Sequence, residues 1–420
     1  MSASSKHPEL WEQFRVLFTI NALVVIVMMG MGVITPILPL YGKTFEVSTT
    51  MLGLLISSFG LARIAVDFPA GLLLEKYGRR AVLLAGTLLL AVGSLLCGLA
   101  AGFWQLVFWR FVQGAGSAFY TTAAMTVVAD LSTGSNRGRS MALFQGSILV
   151  GTGLGPLLGG LVAGWLNYRA PFFVFALLAF IGALWVWLIL PETRPPREQA
   201  SGGNHGGGGT RQKTSAWALL GNPNFLLVGV VTFGVFFTRA GSRMDLVPLI
   251  GSEQVGLGPE KIGFALTLAA LADLAILPAV GWLADHYGRK SIIVPANLLA
   301  ALSMILLAHS HGYLPYLAGL LVFGLAAAAG STIPAAYATD IASRDEYGLA
   351  MGLMRTFGDI GFVLAPLLLG WLADLEGYGL ALYFNSFLML VTSVAFGLWA
   401  KETLGRRPAG RRQADEKSPA

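Results

Sequence analysis

The sequence is a succession of apolar runs separated by short polar breaks. A helix needs about 20 mainly apolar residues to cross the hydrocarbon core of a bilayer. Runs of that length occur twelve times, at residues 16–41, 51–74, 82–101, 104–129, 139–164, 170–190, 226–250, 261–284, 291–309, 313–336, 349–374 and 379–400. They show no strand-like alternation, and lipid offers no water to unpaired amides, so they predict helices. The predicted fold class is an all-α membrane protein with 12 transmembrane helices.

The charges agree with a membrane protein and argue against nucleic acid as a partner. Only 12% of the 420 residues are charged, although the net charge is +6. When alternate loops are assigned to opposite sides of the membrane, 20 of the 28 lysines and arginines fall on one side. By the positive-inside rule that side is cytoplasmic, together with both termini. We therefore predict a multi-pass protein of the cytoplasmic membrane. The single cysteine, Cys97, argues against a disulfide or a cysteine metal cluster, and we predict no metal site.

The chain divides into two halves that repeat each other. Residues 191–225 are rich in Gly and Pro, which predicts a cytoplasmic linker. A shift of 210 residues places GLLLEKYGRR at Gly71–Arg80 over GWLADHYGRK at Gly281–Lys290. The predicted units are the N-terminus 1–15, a six-helix bundle 16–190, the linker, a second bundle 226–400 and a basic cytoplasmic tail 401–420. Parallel repeats of this kind are typical of alternating-access carriers.

Three segments resemble motifs of the major facilitator superfamily. DFPAGLLLEKYGRR at Asp67–Arg80 resembles motif A, RFVQGAGSA at Arg110–Ala118 resembles motif B, and GTGLGPLLGG at Gly151–Gly160 resembles motif C. Motif A usually has Asp where this chain has Glu75, while the second copy keeps Asp285. The resemblance implies the major facilitator fold, with two parallel-repeat six-helix bundles. Motif C is associated with the drug:proton antiporter branch of that family.

The charged turn at the end of helix 2 is predicted to act as a conformational latch. An acidic group near a neighbouring helix N-terminus contributes about 0.3–1 kcal/mol, enough to bias a nearly balanced equilibrium between two conformations. The alternative for the basic residues is simple topological anchoring. The predicted latch residues are Asp67, Gly71, Glu75, Gly78, Arg79, Arg80, Asp285 and Arg289.

Helix 4 carries a polar stripe that its counterpart in the second half lacks. Arg110, Gln113, Ser117 and Tyr120 recur at spacings of three and four, which places them on one helix face. An unpaired guanidinium in a membrane helix costs at least a few kcal/mol, so Arg110 should face water, carbonyl groups or a carboxylate. The resemblance links the motif B arginine to proton transfer. We predict that these four residues serve proton coupling or substrate contact, with a structural bond from Arg110 to helix carbonyls as the alternative.

Carboxylates within the apolar runs are candidates for carrying protons. Helix 1 has no acidic residue, so we predict that Asp273 and Asp359 serve in proton coupling, with Arg355 beside them. The i,i+4 spacing predicts local pairing of Arg63 with Asp67 and of Arg355 with Asp359.

Two further stretches have the residue types expected at packing or solute-binding surfaces. Gly151, Gly155, Pro156, Gly159 and Gly160 predict a smooth, bent face for close helix packing. The outer part of helix 7 mixes phenylalanines with Arg239, Arg243 and Asp245. Its aromatics suit apolar solutes, with packing or lipid contact as the alternative.

These features predict a proton-coupled exporter of hydrophobic or amphipathic small molecules. No nucleophile, base and orienting group occur together, so we do not predict an enzyme. The expected partners are a small-molecule substrate, protons and the lipid bilayer, and we expect a monomer. The proton gradient supplies the energy, and we predict no cofactor. The first alternative is a proton symporter that imports a sugar or an organic acid, and the second is a non-transporting receptor or a lipid scramblase.

Overall fold

The computed structural model of the protein describes residues 6–132, 136–193, 216–343 and 346–403. All regular secondary structure within these ranges is helical. Most of the predicted linker, residues 194–215, and nearly all of the predicted tail, residues 404–420, lie outside the described residues. The predicted division into five units therefore stays a prediction.

Twelve long helices form the bundle within the described ranges. They are α1 Lys6–Ile34, α2 Thr49–Tyr77, α3 Arg79–Gly98, α4 Phe103–Leu131, α5 Arg137–Trp165, α6 Ala170–Ile189, α7 Pro223–Gln254, α8 Pro259–Tyr287, α9 Lys290–Ala308, α10 Tyr313–Ile341, α11 Tyr347–Glu376 and α12 Tyr378–Trp399. Eleven segments in the described part of the chain are long and apolar enough to cross a membrane. The remaining helix, α4, is less apolar because it carries the polar stripe with Arg110 and Gln113.

Two helices differ from their predicted form. The first predicted helix, residues 16–41, is broken: α1 ends at Ile34, and a short helix covers Leu38–Lys43. Pro36 and Pro39 account for the break, since proline lacks the N–H that a continuous helix requires. In α7 the stretch Thr238–Leu246 is π-helical. Such wide turns shift the faces of a helix and are frequent at functional sites.

The repeat is visible in the bounds and in the turns. The helices α2 and α8, and likewise α4 and α10, begin and end at positions 210 residues apart. Between α2 and α3, Gly78 has φ 90°, and its counterpart Gly288 has φ 99°. Glycine adopts positive φ without the strain that a Cβ would cause. The same local sequence therefore forms the same turn in both halves.

A carboxylate caps each of these turns. Glu192 accepts hydrogen bonds from the backbone N–H groups of Arg79 and Arg80 at 2.9 and 3.2 Å. Glu402, 210 residues later, accepts the equivalent bonds from Arg289 and Lys290 at 2.9 and 3.1 Å. A carboxylate at a helix N-terminus satisfies free N–H groups and faces the positive end of the helix dipole. These contacts stabilise each half separately.

The halves meet along α2 and α11 at one end of the bundle. Asp374 of α11 accepts hydrogen bonds from the N–H groups of Thr49 and Thr50 at 2.7 and 2.8 Å. A Cβ added at Gly370 would lie 2.7 Å from the Thr49 carbonyl oxygen, so the two backbones touch. Further along, the Ser57 hydroxyl donates to the Val363 carbonyl at 2.6 Å. We call the end at Thr49 and Asp374 the closed end.

The halves also meet along α5 and α8 near the closed end. The Leu157 N–H of α5 donates to the Thr267 hydroxyl of α8 at 3.0 Å, so this hydrogen bond joins the two halves. A Cβ at Gly160 would clash with the Pro259 carbonyl. Small residues let helices of a membrane bundle approach to backbone contact. Two helix pairs therefore seal this end.

The same helices separate toward the opposite end, which carries Arg79, Arg80, Arg289 and Lys290 and which we call the basic end. Gly71 of α2, Gly138 of α5, Gly281 of α8 and Gly348 of α11 all lie near it. A Cβ added at any of these four glycines would have no atom within 4 Å, and Thr126, Ala129 and Met141, near this end of α4 and α5, line the cavity between the halves. The two halves thus form a V that is shut at the closed end and parted at the basic end.

Candidate functional site

A cavity of about 660 Å³ lies between the two halves. Helices α1, α2, α4, α5 and α6 line it from the first half, and α7, α8 and α11 line it from the second. Its wall is mainly apolar and includes Met28, Met31, Phe59, Phe236 and Met244. Drug-sized ligands occupy pockets of about 300–1,000 Å³ that are mostly apolar with a few polar groups. The cavity is therefore a candidate site for a small molecule.

Arg110 of α4 lies in the wall of the cavity and is held by neutral groups. Its Nε donates to the Leu55 carbonyl of α2 at 3.2 Å, and its Nη1 donates to the Gln113 side chain at 2.5 Å. The guanidinium also lies 4.7 Å from the centre of the Phe59 ring. Among the described residues it forms no ion pair with a carboxylate. Arg110 thus keeps an uncompensated positive charge beside the cavity.

The rest of the polar stripe on α4 divides between the cavity and the packing behind it. Ser117 lines the cavity, and its hydroxyl lies 3.9 Å from the Met31 sulfur. Gln113 is fully buried behind Arg110 and donates to the Ser94 hydroxyl at 2.6 Å. The Tyr120 hydroxyl is buried without a hydrogen-bond partner among the described residues. Gln113 therefore positions Arg110 from behind.

The charges on α2 and α11 pair across the two halves, so the predicted local pairing of Arg63 with Asp67 is wrong. Arg355 forms a close ion pair with Asp67 and has its Nε 3.8 Å from Asp359. The Nε of Arg63 is buried and has no hydrogen-bond partner in the described part of the chain. The side chains of α2 and α11 face each other here, so an ion pair across the interface replaces the one expected within α2.

A small side pocket of about 40 Å³ opens beside the cavity between α7, α8 and α10. It is lined by Arg239, Arg243 and Asp273 together with Asn297 and Phe323. The guanidinium of Arg243 lies 5.7 Å from the centre of the Phe323 ring. The sequence interpretation treated Arg239 and Arg243 only as part of a mixed segment. Their position in one pocket with Asp273 was not foreseen because it depends on how α7 and α8 both pack against α10.

The predicted latch residues lie along α2, α8 and the turns at the basic end. Within the described residues, Asp67 alone among them forms an ion pair with the other half. Glu75 forms no hydrogen bond or ion pair with the described residues. Arg79 pairs with Asp130 at 2.9 Å and Arg289 with Asp285 at 2.7 Å, in each case within one half. Arg80 donates to the Trp187 carbonyl, also within its own half. Gly71 and Gly78 lie in the same region.

The glycines of α5 face two different partners. Gly151, Gly155 and Gly159 lie against the backbone of α1, where an added Cβ would meet Val25, Gly32 and Val33. Gly160 instead lies against α8 of the other half, and the Pro156 carbonyl lies against Gly263 there. One helix thus packs tightly inside its own half and against the opposite half near the closed end.

One buried carboxylate was not singled out by the sequence interpretation. Asp245, in the π-helical part of α7, is 0% exposed. Neither of its carboxylate oxygens has a hydrogen-bond partner among the described residues. An aspartate within the apolar run 226–250 was the available signal, because a charge at such a position is functional by default.

Comparison with known proteins identifies the family. The family model of the Major Facilitator Superfamily matches residues 20–249 and again residues 231–419. The chain belongs to this superfamily. Its members are transporters, so this facilitator is a multi-pass membrane transporter of small molecules and not an enzyme.

Relatives and solved structures agree with that assignment. The chain is 24% identical over 383 residues to Multidrug resistance protein 2 of Bacillus subtilis, covering 90% of this chain and 94% of that protein. It is 23% identical over 366 residues to the Quinolone resistance protein NorA of Staphylococcus aureus, with 86% and 90% covered. A bacterial homolog to the human lysosomal transporter Spinster, solved inward-facing and unoccupied, matches with a TM-score of 0.75. That match is 16% identical and covers 92% of this chain and 96% of the other, so it shows the fold.

Proposed function

We propose that this facilitator exports hydrophobic or amphipathic small molecules in exchange for protons. The observation that carries the proposal is a mainly apolar cavity with buried charges, sealed at one end by two helix pairs and parted at the other. Relatives with about a quarter of their residues identical are named for multidrug and quinolone resistance, which favours efflux.

The transporter alternates between two conformations, one shut at the closed end and the other shut at the basic end. The contacts of Asp374 with Thr49 and Thr50 break when the closed end opens, and solute then leaves on that side. In this proposal contacts at the basic end replace them, and the latch segment Gly71–Arg80 and its counterpart Gly281–Lys290 supply these contacts. The two conformations need to differ in free energy by only a few kcal/mol. A proton or a solute that binds one of them more tightly then shifts the equilibrium toward that conformation.

Proton coupling uses the carboxylates that face the cavity. Asp359 lies beside Arg355, which in turn pairs with Asp67 of the other half. Protonation of either aspartate removes its attraction to Arg355 and so weakens a link between the halves. Asp273 beside Arg239 and Arg243 is the second candidate. One proton moving down a potential contributes about 2.3 kcal/mol per 100 mV, comparable to the free energy needed.

Proton flux in proteoliposomes containing a pH dye tests this proposal. A lipophilic cation, a neutral drug, a sugar and an organic acid are added in turn. Export coupling predicts proton movement opposite to an amphipathic solute, with loss in Arg110→Ala and in Asp359→Asn. The matched controls are Arg169→Ala and Glu376→Gln, which lie outside the cavity and should keep the flux. Proton and sugar moving in the same direction would instead support import.

We further propose that the transporter works as a monomer with both termini and the basic end in the cytoplasm. The only native cysteine, Cys97, is buried and will not react. Gly138→Cys at the basic end and Gly102→Cys at the closed end introduce side chains into open space. A membrane-impermeant maleimide applied to whole cells should label only Gly102→Cys, and labelling of only Gly138→Cys would reverse the orientation.

A further inference from the structure

The charges around the cavity do not balance. Five arginines line it, namely Arg63, Arg110, Arg239, Arg243 and Arg355. Two aspartates, Asp273 and Asp359, also line it, and Asp67 pairs with Arg355. Among the described residues, three carboxylates therefore face five guanidinium groups, which leaves two positive charges without a carboxylate. Arginine does not lose its proton in proteins, and a charge in this low-dielectric setting is unfavourable without a counter-charge.

Part of the excess lies at the side pocket between α7, α8 and α10. Arg239 and Arg243 share a single carboxylate there, that of Asp273. The two guanidinium groups repel each other electrostatically, and Arg63 of the other half adds a further repulsion on Arg239. Two positive charges thus share one aspartate, while Arg63 lies nearer Asp67 and Asp359. A second negative group bound at this place would relieve that repulsion.

The side pocket also contains a buried hydrogen-bond donor, the Asn297 amide, that has no acceptor among the described residues. Within the described residues, neither Arg239 nor Arg243 forms an ion pair. The side-chain amide nitrogen of Asn297 is buried, with the residue 2% exposed, and has no acceptor among them. Buried donors are almost always satisfied in folded proteins. One carboxylate oxygen of Asp273 is also buried and has no partner among the described residues. The single carboxylate of Asp273 does not satisfy the donors of Arg239, Arg243 and Asn297 together.

The surroundings of the side pocket are apolar and continue into the large cavity. Leu149, Val235 and Phe236 line the pocket, and Leu149 and Phe236 also line the cavity. The pocket of about 40 Å³ has room for a compact head group, and the cavity of about 660 Å³ has room for a larger body. The combination suits a molecule with a charged head and an apolar body.

We propose that the solute of this transporter is an amphipathic organic anion, whose carboxylate, sulfonate or phosphate group is bound by Arg239, Arg243 and Asn297. This inference rests on the proposed function as a solute carrier and names the class of solute. A group with two or three oxygens accepts from two guanidinium forks at once, and such charge-assisted contacts are the strong ones. The apolar body packs against the phenylalanines and methionines of the cavity.

Binding of a matched pair of fluorescent probes tests the proposal. Anilinonaphthalene sulfonate and phenylnaphthylamine share one aromatic body and differ by the sulfonate. Each is titrated into the full chain in phosphatidylcholine nanodiscs, with empty nanodiscs subtracted and no proton gradient. We expect the sulfonate to bind about tenfold or more tightly than the neutral probe. Equal affinities, or a preference for a trimethylammonium analogue, would overturn the proposal.

Substitutions locate the head group. Arg239→Gln with Arg243→Gln should remove the preference for the sulfonate while the neutral probe, which reports an intact cavity, binds as before. Lysine at both positions keeps the charge and should keep part of the preference, and Asn297→Leu should reduce it less than the glutamine pair. Arg169→Gln, outside the cavity, is the control. A preference that survives the glutamine pair would refute this location.

Binding and transport separate this inference from the proposed function. Selective sulfonate binding without solute-driven proton movement would contradict proton-coupled export and support the anion site. Proton-coupled export of cations, with no preference among the probes, would support export and contradict the anion site.

Discussion

Asp374 holds the closed end together, so its removal tests whether that end opens during transport. The carboxylate accepts hydrogen bonds from the N–H groups of Thr49 and Thr50 at 2.7 and 2.8 Å and from the Thr50 hydroxyl at 2.6 Å. These N–H groups belong to the first turn of α2. Asp374 therefore caps a helix of the other half and joins the two halves.

The effect of Asp374→Ala follows from this geometry. Loss of a side-chain cap costs about 0.5–2 kcal/mol, and the site is exposed, which favours the lower part of that range. The contact exists only while the closed end is shut, so its loss raises the free energy of this conformation and leaves the other unchanged. For a loss of about 0.5–1 kcal/mol, the ratio of open to shut closed ends should rise by about two- to fivefold.

Spin labels on symmetry-related glycines measure that ratio. Gly102→Cys with Gly312→Cys reports the distance across the closed end, and Gly138→Cys with Gly348→Cys reports the basic end. In Asp374→Ala the first pair should move apart and the second pair should approach. Glu376→Ala, two residues later on α11, is the control. Unchanged distances in Asp374→Ala would refute the view that this contact holds the closed end shut.

Three further substitutions test packing and buried polar groups through the thermal unfolding midpoint. Gly160→Ala should destabilise the protein by about 1–3 kcal/mol because its Cβ meets backbone of α8, whereas Gly146→Ala meets open space and should not; equal midpoints would contradict the close packing. Arg110→Ala leaves the buried Gln113 oxygen without its donor and should destabilise by about 1–3 kcal/mol, while an unchanged midpoint would mean that this bond is unimportant. Asp245→Leu removes a buried carboxylate that has no hydrogen-bond partner in the described part of the chain, so the midpoint should rise, by about 1–3 kcal/mol in free energy of unfolding. A lower midpoint would mean that Asp245 is satisfied in the membrane.

The helices and the repeat were predictable because their causes are local. A run of apolar residues forms a helix in lipid whatever its neighbours are, since all of its backbone bonds lie within the segment. The turns at Gly78 and Gly288 form alike because positive φ depends on the residue itself. The polar stripe on α4 follows from helical spacing, and Arg110 does line the cavity. The break after Ile34 was missed although Pro36 and Pro39 were readable signals.

The partners of the charges were decided by the tertiary structure. The i,i+4 spacing predicted an ion pair between Arg63 and Asp67, yet Asp67 pairs with Arg355, 288 residues away in the chain. Arg239 and Arg243 share a pocket with Asp273 and Asn297 only because α7, α8 and α9 all pack against α10. The π-helical turns of α7 set which of its side chains face that pocket. Side-chain pairing across helices depends on crossing angle, rotation and which end of the bundle is shut. None of these is a property of a single segment, so the sequence by itself determined the twelve helices and their repeat, and only the packing of the halves determined the cavity and its charge.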